Sequence, residues 1–245
     1  MQPQTPSLKD ILTDYRHNKL NEELTGDWVA VFFYRPLALL LSWPLIRLRT
    51  TPNQVTVTGL LTLPFMGAVA GLVRPDAAIS AVCGLAIAYC ILDCTDGTIA
   101  RLTNRQSDFG HYLDFVGGTL YRAVFYGSLG YISTRGGVAW AGGGLLFGVL
   151  IVAAWIAVFS RLCRVYAESQ LFRKPQAAAR AARTWFDRLY DSIFSVLSGM
   201  EGLLPIAVPI CWWNGWMRPL ILVILFYWLL EGVYTQATIL WRVKA

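Results

Sequence analysis

This sequence is short of charge. Asp, Glu, Lys and Arg make up 15% of its 245 residues, where a soluble domain carries about 25%. That shortfall excludes an ordinary soluble globule. Hydrophobic residues reach 56% and fall in long blocks, so lipid is the solvent for most of the chain. The first 25 residues lack an apolar core segment, and no cleavable signal peptide is expected. A disulfide framework is missing too, because the cysteines at 83, 90, 94, 163 and 211 are odd in number and unpaired in spacing. Cys90 and Cys94 stand one helical turn apart, a spacing open to a metal. Small residues inside a membrane helix are the plainer reading.

The net charge is +6. In a soluble protein that balance would suggest nucleic acid. Here no nucleic-acid partner is expected, because Lys and Arg collect on the cytoplasmic side of membranes. Residues 7–27 are polar with apolar positions at helical spacing, which predicts a helix lying on the membrane surface. Residues 28–46 are apolar but interrupted by Arg35, Pro36 and Pro44, and are expected at the interface as well. Six spans follow, at about 54–73, 77–101, 109–132, 137–163, 192–212 and 219–241, each near the length needed to cross. The expected fold is therefore an all-α integral membrane protein. Residues 1–50 form a juxtamembrane region, and residues 51–245 form a six-helix domain.

Six crossings put both termini on one side. The loops of the opposite side then hold only Arg74, Arg135 and Arg218, while the remaining loops and both ends hold nearly all the other basic residues. That bias makes the termini cytoplasmic, in a membrane of the bacterial inner type. Trp212, Trp213 and Trp216 at an outer loop fit an interfacial aromatic belt. Gly67-x-x-x-Gly71 and Gly144-x-x-x-Gly148 are assigned to helix packing.

The chemistry gathers where the second span meets the third. The second ends Asp93-Cys94-Thr95-Asp96-Gly97-Thr98-Ile99-Ala100-Arg101, and the third begins Gly110-His111-Tyr112-Leu113-Asp114. Carboxylates inside a spanning helix are costly and mark function. Asp93 and Asp96 share one helix face, and Asp114 enters from the neighbouring helix. Three acids converging from two helices read as a cation site, and a hard ion such as Mg²⁺ prefers oxygen ligands. Pairing of the acids with Arg101 or Arg105 is the bland alternative, but it would not need the flanking glycines Gly97 and Gly110.

These residues resemble the CDP-alcohol phosphotransferase (CDP-alcohol phosphatidyltransferase) family. Its mark is Asp-x-x-Asp-Gly-x-x-Ala-Arg, eight or nine residues, then Gly-x-x-x-Asp-x-x-x-Asp. The chain matches at Asp93, Asp96, Gly97, Ala100, Arg101, Gly110 and Asp114. Tyr34-Arg35-Pro36 and Thr51-Pro52-Asn53 also look like the family. The last aspartate of the pattern would fall at 118, where this chain has Gly118.

The resemblance implies a transferase that makes phospholipids. An acceptor alcohol attacks a CDP-linked lipid or CDP-alcohol donor, and CMP leaves. It implies Mg²⁺ or Mn²⁺ on Asp93, Asp96 and Asp114, with cytidine near Gly97, Ala100 and Gly110 and phosphates near Arg101. It also implies a homodimer. With the fourth acid gone, His111, Glu201 and Glu231 are the candidate replacement bases. Glu201 and Glu231 would otherwise pair with Arg122, which lies one turn beyond Gly118 and favours a phosphate there. Two other readings stand beside this one: a weakened or non-catalytic relative that binds CDP-lipid and metal, and a small divalent-cation transporter. Against the transporter, the chain shows no inverted repeat of the usual kind.

Overall fold

A computed structural model describes residues 6–136, 143–167, 169 and 199–244. Among the described residues the chain forms nine α-helices, one π-helical turn and no strand. The polar N-terminal stretch forms α1 (Leu8–Asn18) and α2 (Leu20–Gly26). Ser7 caps α1 by accepting the Asp10 N–H at 3.3 Å, and Asp10 accepts the Ser7 N–H at 2.8 Å. This reciprocal capping box fixes where the helix begins. Ile11 and Tyr15, four residues apart, are its buried face.

The π-helical turn Ala30–Tyr34 leads directly into α3 (Arg35–Arg47). Together they are long and apolar enough to cross a membrane by length and composition. Those two properties do not test the interfacial placement expected for 28–46, and Leu39 and Ile46 of this segment pack in one cluster with Val55 and Ile99. Pro36 sits in the first turn, where no N–H donor is needed, whereas Pro44 lies inside the helix and removes the N–H that would reach the Leu40 carbonyl. The charge of Arg35 is met inside the protein by Glu23.

The bundle proper is α4 (Pro52–Leu72), α5 (Pro75–Leu102), α6 (Asp108–Arg135), α7 (Gly143–Tyr166), α8 (Met200–Trp213) and α9 (Met217–Lys244). Pro52 and Pro75 open their helices at positions that need no N–H donor. Among the described residues five segments qualify as spans: Ala30–Arg47, Pro52–Leu72, Pro75–Leu102, Phe147–Tyr166 and Met217–Trp241. Helix α6 has the length, at 28 residues, but Asp114, Arg122 and its hydroxyl-bearing residues lower its apolar content. Helix α8 is apolar but short, and residues 192–198 of the expected fifth span lie outside the described residues.

One core joins the helices around Ile79, Val82, Phe125, Tyr126, Leu129 and Ile221. Tyr89, Tyr121 and Phe125 stack in sequence, with centroids 4.6 and 5.5 Å apart. Trp228 Nε1 donates to the Tyr126 hydroxyl at 2.8 Å, tying α9 to α6. Side chains such as Phe65, Trp155, Phe226 and Val233 stay exposed on the outside, as expected where lipid is the solvent. Close helix approach uses Gly130, where a Cβ would lie 2.7 Å from Phe147. It does not use Gly67, Gly71 or Gly148, around which a Cβ would meet nothing within 4 Å. The pairs assigned to packing therefore meet no neighbour among the described residues at these three positions.

Candidate active site

The loop between α5 and α6 is five residues long, from Thr103 to Ser107. Asn104 takes a left-handed conformation, φ 50°, which an Asn side chain tolerates better than most. The Arg105 N–H returns to the Ala100 carbonyl at 2.9 Å. Ser107 then caps α6 by accepting the Gly110 N–H at 3.1 Å. So short a turn forces α5 and α6 to lie side by side with their acids at the same end.

Asp93 and Asp114 face each other across this helix pair, close enough to share a hydrogen bond. Asp96 is turned toward α4, where it accepts the Thr56 hydroxyl at 2.5 Å. The capping box of Thr51 and Gln54 holds that end of α4 in place. Asn53 comes beside Gly110, where a Cβ would meet Asn53 Oδ1 at 3.5 Å. The Thr51-Pro52-Asn53 segment thus builds the wall that receives the start of α6.

A cavity of about 220 Å³ opens beside the carboxylate pair, lined by Asp93, Asp114, Gly118, Arg122, Arg161 and Glu201. The stacked Tyr89 and Tyr121 also line it. Glu201 Oε2 accepts from Arg122 Nη2 at 2.7 Å, and Arg122 Nη1 donates to the Gly118 carbonyl at 3.0 Å. Among the described residues Glu201 Oε1 is buried without a partner. Asp27 reaches the cavity from the segment before the π-helical turn and accepts the Ala30 N–H at 3.1 Å. Loss of hydration raises its carboxyl above the usual range, and the nearby Glu201 adds to this. A second cavity of about 340 Å³, lined by Arg74, Asp76, Ala77, Ser80 and Trp213, lies at the other end of the bundle. Among these only Asp76 is a carboxylate.

The family profile for CDP-alcohol phosphatidyltransferase matches residues 49–228. The chain belongs to this family. Its match takes in α4 to α8, the α5–α6 acids and the cavity. Among curated proteins no match was found. Membership establishes a phospholipid-synthesis transferase at the level of the family, with CDP-alcohol donors, acceptor alcohols and divalent metals as its general ligands.

Several residues singled out in the sequence lie outside the cavity wall. Gly97 lies under the Arg101 guanidinium, where a Cβ would be 3.5 Å from Nη1. Arg101 Nε faces Asp14 of α1 at 3.8 Å. Ala100 and Gly110 flank the α5–α6 turn, away from the cavity. His111 is exposed and does not line the cavity. Glu231 is buried against Arg164, with an Oε1–Nη1 distance of 2.7 Å, and does not line it either. Of the three candidate bases only Glu201 reaches the cavity, and it is Glu201 that pairs with Arg122.

For a divalent ion, the donor chemistry fits. Asp93 and Asp114 present hard carboxylate oxygens to the same space, and two facing carboxylates repel unless a proton or a cation lies between them. Among the described residues no group of three His, Cys, Asp or Glu side chains is drawn into a closed ligand set, and Asp96 is engaged by Thr56.

Sequence reading missed Arg161, Asp27 and Thr56. Arg161 falls at the end of the expected fourth span, 137–163. Its place at the end of an apolar run signals an interface, and no local pattern signals that it turns inward.

Proposed function

We propose that this chain is a working CDP-alcohol phosphotransferase. It joins the phosphatidyl or phospho-alcohol group of a CDP-linked donor to an acceptor alcohol in the cavity beside Asp93 and Asp114. The observation that supports it is the facing carboxylate pair opening on a cavity that also holds a half-buried Glu201, positioned by Arg122 and with its Oε1 buried. Asp93 and Asp114, with Asp96 once released from Thr56, would hold Mg²⁺ or Mn²⁺. The ion would supply charge neutralisation on the donor diphosphate. The residues of the chain do the rest. Arg101, beside Gly97, meets phosphate oxygens on the donor side once it leaves Asp14. Gly97, Ala100 and Gly110 leave the backbone open for cytidine. The acceptor oxygen forms a bond to the donor phosphorus, the diphosphate bridge breaks, and the electron pair leaves on CMP. Glu201 Oε1 takes the hydroxyl proton while Arg122 holds Oε2. His111 and Glu231 are the less favoured bases, since neither faces the cavity.

The test is transfer from labelled CDP-diacylglycerol to a panel of acceptors by the purified chain with Mn²⁺. Glu201→Gln is expected to lower transfer by roughly 10²–10³-fold, within the usual range for a general base, without loss of donor binding. Unchanged turnover in Glu201→Gln would remove it as the base. A binding relative without turnover would show neither transfer nor exchange of label between CMP and CDP-lipid. Cation flux into vesicles without either activity would favour the transporter reading.

The chain is proposed to sit in a cytoplasmic membrane, of the bacterial inner type, with both termini inside and as a homodimer. Arg105 and Asn214 lie at opposite ends of the bundle by this topology. In a cysteine-free background, a membrane-impermeant thiol reagent applied from outside should label Asn214→Cys and spare Arg105→Cys. The reverse pattern would invert the topology. A monomer mass in nanodiscs would dismiss the dimer.

A further inference from the structure

At the end of the bundle away from Asp93 and Asp114, four helices are tied into one frame. Arg135, closing α6, donates through Nη1 to the carbonyls of Ala70 and Val73 at 2.7 and 2.9 Å, and so caps α4. Trp212, near the end of α8, donates from Nε1 to Asp76 Oδ1 at 3.0 Å, in the first turn of α5. Gly136 makes room for that indole, because a Cβ there would run into the Trp212 ring. The frame holds the cavity of about 340 Å³ lined by Arg74, Asp76, Ala77, Ser80 and Trp213.

The polar groups of this cavity are largely unpaired. Among the described residues Arg74 makes no ion pair or hydrogen bond, although Asp76 is two positions away. The Trp213 indole N–H and the Ser80 hydroxyl donate to nothing there either. Asp76 uses one oxygen on Trp212 and keeps the other open. A surface arginine facing water is the plain alternative, and its surroundings speak against it. Leu72, two residues earlier, is 85% exposed, and Trp213 and Trp216 are 66% and 60% exposed. Exposed indoles at the helix ends mark the depth at which lipid headgroups lie. Lipid, rather than open water, meets this guanidinium.

The charges name the occupant. A guanidinium fork with an indole N–H and a hydroxyl beside it suits the oxygens of a phosphodiester. The open Asp76 oxygen, in the same cavity, suits an ammonium group. A free phosphate or an anionic headgroup would satisfy Arg74 but meet the Asp76 carboxylate as a like charge. A zwitterionic headgroup answers both charges at once. At about 340 Å³ the cavity takes a headgroup and not its acyl chains, which would run down the exposed outside of α4 past Leu72.

We propose that this cavity binds the headgroup of a zwitterionic phospholipid, with the phosphodiester on Arg74 and the ammonium on Asp76, in the leaflet opposite Asp93 and Asp114. The inference stands apart from the transferase reading. Its test uses the full chain in neutral detergent micelles that hold phosphatidylethanolamine or phosphatidylglycerol at equal mole fraction, or that are supplied with inorganic phosphate. Phosphatidylethanolamine is expected to raise the melting temperature more than phosphatidylglycerol does, and inorganic phosphate is not expected to raise it. Arg74→Gln, at an exposed position that the fold does not use, should weaken phosphatidylethanolamine binding in native mass spectrometry about 10–100-fold, the span expected for lost hydrogen bonds to a charged group. Arg74→Lys should restore part of it. Asp76→Asn keeps an oxygen for Trp212 and should erase the preference for phosphatidylethanolamine over phosphatidylglycerol. Trp213→Phe keeps a ring, loses the N–H and should cost less than Arg74→Gln. Asp93→Asn should bind the lipid like the native chain. Loss of binding in Asp93→Asn would move the lipid to the other end of the bundle and overturn the proposal. Equal stabilisation by the two lipids would overturn the zwitterionic assignment, and displacement of the lipid by inorganic phosphate would make this a plain anion site. Phosphatidylethanolamine binding that is identical in native and Arg74→Gln protein would overturn it outright.

Discussion

Asp93→Asn is expected to lower transfer by roughly 10²–10³-fold, the loss typical of removing one preorganised electrostatic group from a transition state. It is also expected to abolish stabilisation of the protein by Mn²⁺. The fold should survive. Asn has the size of Asp, and the change removes one of two carboxylates that face each other across α5 and α6. Without metal the two carboxyls repel unless a proton lies between them, so metal-free Asp93→Asn should melt no lower than the native chain. That combination of lost function with retained or improved stability is the usual mark of a site held in a strained electrostatic arrangement. Melting curves with and without Mn²⁺ decide it. A variant that responds to Mn²⁺ like the native chain would move the ion elsewhere. A variant that melts much lower without metal would mean that Asp93 and Asp114 share a structural hydrogen bond instead.

Arg35→Met should have the largest effect on stability. Arg35 and Glu23 form an ion pair with side chains only 7% and 10% exposed. Arg35 Nε donates to Glu23 Oε2 at 3.1 Å, and Nη1 donates to the Cys94 carbonyl at 2.7 Å and to the Thr98 hydroxyl at 3.2 Å. The Tyr15 hydroxyl adds a donor to Glu23 at 3.1 Å. Burial, and then the charge of Glu23, raise the Tyr15 phenol above its usual range and keep it a donor. One arginine thus ties α1, α2 and α3 to α5, at the turn of α5 that carries Asp93 and Asp96. Removing one partner of a buried pair costs about 3–5 kcal/mol, because the other charge is left uncompensated. For a chain of this size that corresponds to a fall of about 10 °C in melting temperature. Replacing both partners with apolar residues is often close to neutral, so Glu23→Leu combined with Arg35→Met should recover most of the loss. If Arg35→Met melts like the native chain, the pair does not hold the N-terminal helices. If the double variant is as weak as the single one, the hydrogen bonds to Cys94 and Thr98 matter more than the charge.

Both outcomes bear on Asp14 and Arg101 as well. Arg101 faces α1 through Asp14 at 3.8 Å, and α1 is held by Ile11 and Tyr15. Loosening α1 through Arg35 would free Arg101 on the donor side, so the stability variants should be assayed for donor binding as well as melting.

Sequence alone determined that lipid surrounds most of this chain, because 56% of its residues are hydrophobic and lie in blocks of spanning length. It also placed Asp93, Asp96 and Asp114 at one end of two neighbouring helices. That inference needed only helical periodicity and a five-residue turn, both local properties of the chain. What only the tertiary structure decided is how each charge is met. Glu201 meets Arg122, 79 residues away; Arg35 meets Glu23; Glu231 meets Arg164 rather than entering the cavity; and Thr56 engages Asp96, 40 residues away. Arg161 turns inward over Gly118, while Gly67 and Gly71 pack against nothing among the described residues. Each of these outcomes depends on the rotation of a helix about its axis and on which neighbour it faces. Adjacent residues on a helix point about 100° apart, so a small rotation moves a side chain from the lipid to the cavity. Composition fixes that a helix lies in lipid, whereas only packing against its neighbours fixes which side faces inward.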